Sequence, residues 1–259
     1  MSGELLALAE RAARAAGALL LERVGAPVSG VSSKSSGTDL VSDTDRDAEE
    51  LIVGMIQAER PGDAIVGEEG ADAPGSGEIH WLVDPLDGTI NYLWSIPQWS
   101  VSVAALDHEG PLVGVVHDPP RGETFAALRG AGTRLNGRQL GLGPGAPLAE
   151  ALVGTGFSYI AARRARQAAA LQAVLPAVRD VRRFGSAALD LAWVACGRLD
   201  GYFERGLNPW DWAAGRLVVS EAGGVVQELE PREEDPVGCV AAPPGLIAPL
   251  RALIDEAGA

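Results

Sequence analysis

The stretch Trp81-Leu82-Val83-Asp84-Pro85-Leu86-Asp87-Gly88-Thr89 constrains this chain more than any other. An apolar, strand-like run ends on a carboxylate, and proline fixes the next turn. A second carboxylate follows three residues after the first, and a Gly-Thr pair closes the segment. On a tight turn, Asp84 and Asp87 would present oxygen ligands beside backbone amides and a hydroxyl. That suits a divalent cation with a phosphate next to it. The same residues also make an ordinary strand-to-loop exit, in which aspartate and glycine merely turn the chain. A second strand, Ala64-Ile65-Val66-Gly67, runs in the same way into Glu68-Glu69. Glutamates in that position are usually surface charge, but two successive strands ending in carboxylates are what a site at strand ends requires.

Composition limits the readings. A chain of 259 residues buries a substantial core as one large domain or two halves. Its 47% hydrophobic and 22% charged content is that of an ordinary globular protein. The formal charge of -14 argues against non-specific binding of nucleic acid or of an anionic membrane. A phosphorylated substrate remains compatible, because bound cations reverse the local field. The two cysteines, Cys196 and Cys239, lack metal-type spacing, and Cys196 reads as a buried thiol in an apolar helical run. They fit a reducing compartment. Met1-Ser2-Gly3-Glu4 lacks the basic start of a secretory signal, so a cytoplasmic location is expected. The uncharged stretch from Gly88 to Leu106 contains Asn91, Pro97, Gln98 and three serines, which reads as loop plus buried strand rather than a membrane span.

In chain order, the spacing predicts an amphipathic helix over residues 4–24 with Ser2 as a candidate cap. A polar segment from Ser32 to Thr38 leads into Asp39–Asp45. Ser42 is placed to cap a second helix reaching about Glu59, with Asp43, Asp45 and Asp47 in its first turn, where the dipole favours acids in any protein. Strands at 64–67 and 79–83 follow, then β runs from Trp99 to Leu140, with Asn136-Gly137 as a hairpin turn. Gly141 to Pro147 divides the chain at about residue 143. The second half alternates: a strand at 152–154, a helix over 161–178, a helix capped by Ser186 and reaching Cys196, and a strand at 199–204. Pro209 opens the next helix at its first position. That places Asp211 in the first turn, where backbone N–H groups favour anions. Strands at 225–229 and 239–242 and a last helix complete an expected α/β (α+β) architecture.

Glu68, Asp84, Asp87 and Asp211 form one candidate group. One carboxylate pair about 4 Å apart costs roughly 4 kcal/mol at an effective dielectric near 20, so four converge only with cations or raised pKa values. Oxygen-only ligation suits Mg²⁺ rather than Zn²⁺. His80, His108 and His117 make no ligand pattern, and no Ser-His-Asp or Cys-His site is supported.

Gly67-Glu68-Glu69, Asp84-Pro85-Leu86-Asp87-Gly88-Thr89 and Trp210-Asp211-Trp212-Ala213-Ala214-Gly215 together resemble the three signature motifs of the inositol monophosphatase family, in order and in spacing. The resemblance spans nearly the whole chain and implies a single domain over 1–259 with a layered α-β-α-β-α sandwich fold. It further implies a Mg²⁺-dependent phosphatase of small polyol phosphates, with two or three ions per site, Li⁺ sensitivity and a homodimer. By the same resemblance, Glu68, Asp84 and the Leu86 carbonyl would hold one ion. Asp84, Asp87 and Asp211 would hold a second. Glu68 and, more remotely, Asp45 would support a third. Gly88 and Thr89 would donate to the phosphate, Gly185-Ser186-Ala187 and Glu204 would meet the alcohol, and Lys34 would sit on a loop that closes nearby. The implied reaction is in-line attack by a metal-held water near Glu68 and Thr89, on an ester whose uncatalysed hydrolysis needs accelerations up to ~10²¹. Ile90, Tyr92, Trp94, Pro209 and Trp212 depart from the pattern and leave the pocket rim open. Histidinol phosphate, fructose bisphosphate and phosphoadenosine phosphate remain alternative substrates, and a binding protein without activity is the rival outside this chemistry. A bisphosphate would need a basic pocket. Arg163 to Arg166 and Arg182-Arg183 are the candidates, and their expected role is a solvated face.

Overall fold

The computed structural model describes residues 2–25, 30–33, 40–231 and 237–258. Lys34 and Asp39 lie outside the described residues. Helix α1 (Ser2–Arg23) buries Leu5, Leu8, Ala9, Ala12, Ala16 and Leu20 on one face. Short strands β1 (Ser32–Ser33) and β2 (Leu40–Val41) pair before helix α2 (Asp43–Glu59). Ser42 caps α2 as expected, in a reciprocal box with Asp45 at the third helical position.

An eight-stranded sheet follows, built from β3 (Ala64–Gly67), β4 (Asp72–Ala73), β5 (His80–Asp87), β6 (Ser100–Asp107), β7 (Gly110–Asp118), β8 (Glu123–Leu128), β9 (Gly132–Leu135) and β10 (Arg138–Gln139). Its order is β10-β9-β8-β7-β6-β5-β3-β4, antiparallel throughout except for β3 beside β5. Because β3 and β5 run parallel, their carboxylate-bearing ends, Glu68 and Asp84, emerge at the same edge.

The second sheet contains β11 (Leu152–Thr155), β12 (Asp180–Arg182), β13 (Gly201–Arg205), β14 (Val225–Leu229) and β15 (Gly238–Ala242), in the order β12-β11-β13-β15-β14. Helices α4 (Ala161–Val174), α5 (Ala187–Ala195), α6 (Pro209–Glu221) and α7 (Ile247–Ala257) complete the half, with the short α3 (Thr89–Leu93) preceding β6.

Three apolar cores stack between five layers. Ile52 and Ile56 of α2 join α1 against Trp81, Val83, Val101 and Val115 of the first sheet. The sheet's other face, with Val116 and Phe125, packs on α5 and α6, which also cover Tyr202 and Ala241 of the second sheet. The far face of that sheet, Val153, Phe203 and Val240, packs on α4 and α7. The layering is therefore α-β-α-β-α. The middle contact is close: a Cβ added to Gly114 of β7 would lie 2.7 Å from the Ala214 carbonyl oxygen of α6.

Several sequence expectations change. Strand β5 does not stop at Val83. It continues through Asp87, with a break in its pairing to β6 between Asp84 and Asp87 that accommodates Pro85. Gly88 then takes φ +100, which few side chains tolerate, and opens α3 inside the stretch read as loop. The 161–178 helix ends at Val174 because Pro176 converts its tail to a 3₁₀ turn. Strand β12 was not anticipated. Cys239 is buried, but Cys196 is only half-buried at the end of α5. Among the described residues no helix is long and apolar enough to cross a membrane.

His117 of β7 is held between α1 and β8. A Cβ on Gly17 would meet its ring at 2.5 Å, and its Nδ1 lies 3.1 Å from the Glu123 carbonyl, which can only accept. Burial pushes its pKa down to about 4 from 6.5, against the Glu123 bond that favours the cation and with Arg14 disfavouring it further. The unfolded chain thus binds more protons between those values. Stability present above pH 6.5 should fall as the pH drops through about 4, by on the order of 3 kcal/mol from this group. Urea denaturation at pH 4 and pH 7.5 should show that fall reduced in His117→Gln. An unchanged fall would assign the acid sensitivity elsewhere.

Candidate active site

The ends of β3 and β5 deliver Glu68 and Asp84, and the first turn of α6 delivers Asp211. Each offers one carboxylate oxygen, and these three atoms lie within 4.8 Å of one another. Asp84 is held by the Leu86 amide, which donates to its Oδ1 at 3.0 Å. Asp211 sits at the third position of α6, where its Oδ2 accepts from the Asn208 amide at 2.7 Å. In both residues the backbone thereby orients one carboxylate oxygen. Burial, then the charge of Glu68, raise the pKa of Asp84 and of Asp211 well above the ordinary range. Asp87 adds to both shifts.

Asp87 joins the cluster from the end of β5 and links it to α5. Its Oδ2 accepts from Ser186 Oγ at 2.6 Å and from the Ala188 amide at 2.8 Å, and its Oδ1 from the Ala187 amide at 3.2 Å. Ser186 was expected to cap α5 with its own side chain. Instead its hydroxyl is turned to Asp87, and Asp87 caps the helix from about one hundred residues earlier. Burial pushes Asp87 up to about 6 despite these bonds. A carboxylate oxygen accepts two hydrogen bonds, so Oδ1, with a single long one, keeps a lone pair.

Thr89 Oγ1 lies 3.0 Å from the Leu86 carbonyl and 3.1 Å from Asp45 Oδ1. Asp45 is fully buried and accepts from the Ser42 amide at 3.0 Å and from the Ser42 hydroxyl. The three segments carrying Asp45, Asp87–Thr89 and Ser186 therefore meet at one place.

Glu68, Asp84, Leu86, Asp87, Gly88, Thr89 and Asp211 line an open cleft of about 330 Å³. Glu204 of β13 also lines it, with the Tyr202 hydroxyl donating to it at 2.6 Å. Burial pushes Glu204 up to about 7, against that bond and against the Arg183 charge, which favour the anion. Gly185 lines the cleft at φ +87, and the backbone before α5 positions Ala187 beside it.

Other expectations are corrected. Arg163 and Arg183 border the cleft, Arg183 while remaining exposed, whereas Arg182 pairs with Asp180 and Arg164 with the Ser158 carbonyl. Tyr92 does not shape the rim: it is buried, donates to the Leu20 carbonyl at 2.9 Å and packs edge-on against Trp99. Trp212 turns away from the cleft into a separate groove with Pro209 and Leu82. Asp190 and Glu49, buried acids close to the site, were missed. Asp190 of α5 has an Oδ1 without a partner among the described residues, and burial, then the charge of Glu204, raise its pKa strongly. Glu49 of α2 accepts from backbone amides next to Glu68. The sequence held a signal for Asp190, an acid interrupting an otherwise apolar helical run.

The donor set tests which ion would fit. All candidate ligand atoms are oxygens, three of them are gathered at strand and helix ends, and like charges are crowded in a buried place. That suits a hard divalent cation and not zinc.

Comparison with known proteins identifies the family. The model of the inositol monophosphatase family matches residues 2–256. The chain is 43% identical to Nus factor SuhB of Xylella fastidiosa over 230 residues, covering 87% of this chain and 83% of that one. It is 42% identical to inositol-1-monophosphatase of Mycobacterium leprae over 239 residues, covering 87% and 81%. Its structure superposes on SuhB of Mycobacterium tuberculosis with a TM-score of 0.85 at 37% identity, covering 99% and 98%. The motifs, the layered fold and these likenesses point the same way: the chain belongs to the inositol monophosphatase family.

Proposed function

We propose that the chain, as a single domain over 1–259, is a Mg²⁺-dependent phosphomonoesterase that hydrolyses inositol monophosphate or a similar small polyol phosphate. The observation that carries this is the gathering of Glu68, Asp84 and Asp211 oxygens within 4.8 Å at the floor of a cleft. Glu68, Asp84 and the Leu86 carbonyl would hold one ion, and Asp84, Asp87 and Asp211 a second. Bound there, such ions supply Lewis-acid polarisation of phosphoryl oxygens and a more acidic water.

The chain's own groups do the rest. With its proton directed to Asp45 Oδ1, the Thr89 hydroxyl has lone pairs free to accept a hydrogen bond from the attacking water. Asp45 then stands behind it as the proton's destination. Glu68, beside Asp84, orients the same water. The Gly88 and Thr89 amides, at the start of α3, would donate to the phosphate. Glu204, with the Gly185-Ser186-Ala187 segment, would receive the alcohol's hydroxyls, as a carboxyl poised near pH 7 both donates and accepts.

A second reading within the same chemistry has an observation of its own. Arg163 and Arg183 on the cleft favour a substrate with another anionic group, such as fructose bisphosphate or phosphoadenosine phosphate, over histidinol phosphate. Outside it, relatives that carry the name Nus factor favour a binding role on this fold. Cytoplasmic location, a homodimer and sensitivity to Li⁺ extend the family reading.

Asp211→Asn removes a ligand charge and keeps the capping oxygen, so turnover should fall by at least about 100-fold, beyond the usual cost of an outer partner, while thermal stability is kept or raised. Phosphate release at saturating Mg²⁺ measures it, and near-normal activity would rule out the ligand assignment. Glu204→Ala should lower kcat/KM for inositol 1-phosphate by about tenfold or more, as expected for a lost charged hydrogen-bond partner, and leave p-nitrophenyl phosphate, which has no polyol, little changed. Equal loss on both would remove its role. Arg183→Ala distinguishes the readings: a selective loss of bisphosphate hydrolysis in the same assay supports the second, and unchanged selectivity the first.

A further inference from the structure

The backbone that carries Glu68 is held by a side chain to which neither the motifs nor the proposed chemistry gives a part. Glu49 lies on α2, one turn beyond Asp45, and is 5% exposed. One of its oxygens accepts from the Glu69 amide and the other from the Ala71 amide, each at 2.8 Å. Both bonds hold the turn that immediately follows the metal-cluster glutamate. The turn is closed by the Gly67 amide donating to the Ala71 carbonyl at 2.7 Å, and the Glu68 amide donates to the Val83 carbonyl of β5 at 3.1 Å. A Cβ on Gly67 would lie 2.1 Å from Glu49 Oε1, so the glycine is what lets the carboxylate come this close.

The two-pronged geometry needs a carboxylate. Both partners are N–H donors, so both oxygens must accept, which an amide side chain cannot do. Leaving one of these donors facing an NH₂ group would push the turn away from α2. Asp45 and Glu49 sit four residues apart on the same helix face, so one rigid helix would set both the Thr89 hydroxyl and the Glu68 carboxylate.

We infer that Glu49 is a positioning residue for the cation site, bracing the Glu68 turn through its two amides so that the Glu68 carboxylate stays beside Asp84 and Asp211. The inference rests on the metal reading above. It is tested by calorimetric titration of substrate-free protein with Mg²⁺, comparing wild type with Glu49→Gln and with Glu50→Gln, which removes the same charge from an exposed position on the same helix. Glu49→Gln should weaken Mg²⁺ binding about tenfold or more, the usual effect of losing a group that orients a ligand. Glu50→Gln should leave it unchanged. Amide exchange should accelerate at Ala71 or Glu69 in Glu49→Gln while the core strands keep their protection, which separates a loosened turn from general unfolding.

If wild type binds no Mg²⁺, the metal reading fails and takes this one with it. If wild type binds and Glu49→Gln binds equally well, only the positioning role falls. Equal weakening in both variants would reduce it to a long-range charge effect, and loss of protection throughout Glu49→Gln would make its role one of folding alone.

Discussion

Mutual repulsion among buried carboxylates is the constraint around which this molecule is arranged. Asp84 and Asp87 are almost wholly buried, and Glu68 and Asp211 approach Asp84 closely. The fold meets that cost by bringing helix N-termini to the acids. Asp87 receives two amides of α5, Asp211 is the third residue of α6, and Asp45 is the third residue of α2. A helix end stabilises a nearby anion by roughly 0.3–1 kcal/mol, reaching about 2 in partly buried settings. One carboxylate pair at about 4 Å and an effective dielectric near 20 costs roughly 4 kcal/mol. Three helix ends therefore offset part of the repulsion and leave a remainder that only protons or cations can neutralise. The raised pKa values of Asp84, Asp87 and Asp211 are the proton side of that balance.

The same need explains the order of layers. Helices α5 and α6 lie between the two sheets and start at the cleft, so their positive ends point at the acids delivered by the first sheet. Alternation along β6 serves this arrangement. Val101, Val103 and Ala105 face α1 and α2, while Ser100 and Ser102 face the middle layer, where the first donates to Asp87 at 3.3 Å and the second to the Trp210 carbonyl at 3.1 Å. In an exposed sheet such a polar face would meet water. Here both faces are covered, and the serines hold site residues instead.

Helix starts, strands and turns were legible in the sequence because each rests on local chemistry: apolar runs of strand length, capping residues, and proline at a helix start, while the layering and the grouping of the acids were expected only through the family resemblance. Ser42, Pro209 and Asn136-Gly137 fall where those signals place them. What was hidden depends on contacts between distant segments. Nothing near Ser186 in the chain reveals that Asp87 takes over its capping role. Likewise an arginine cluster reads the same whether it faces water or a cleft, so Arg183 could not be told from Arg182. Trp212 and Tyr92 look like rim residues by their nearness to Asp211 and Thr89, and helix rotation turns both away.

Position along the chain and position in the site thus part company for side chains, while backbone ends remain predictable. The cleft is built at the ends of β3 and β5 and the starts of α5 and α6, and an element end exposes unsatisfied amides or carbonyls wherever it lies. Residues at such ends acquire a function by default if the partner is charged. Residues further in acquire one only by bracing an end, as the Tyr202 hydroxyl does for Glu204 at 2.6 Å and the Asn91 amide does by donating to the Phe184 and Gln98 carbonyls at 2.7 Å each. The Tyr202 brace acts within one strand, whereas Asn91 ties the turn after β5 to the segment before α5, 93 residues on. They make the cleft rigid enough to hold like charges together before any counter-charge arrives.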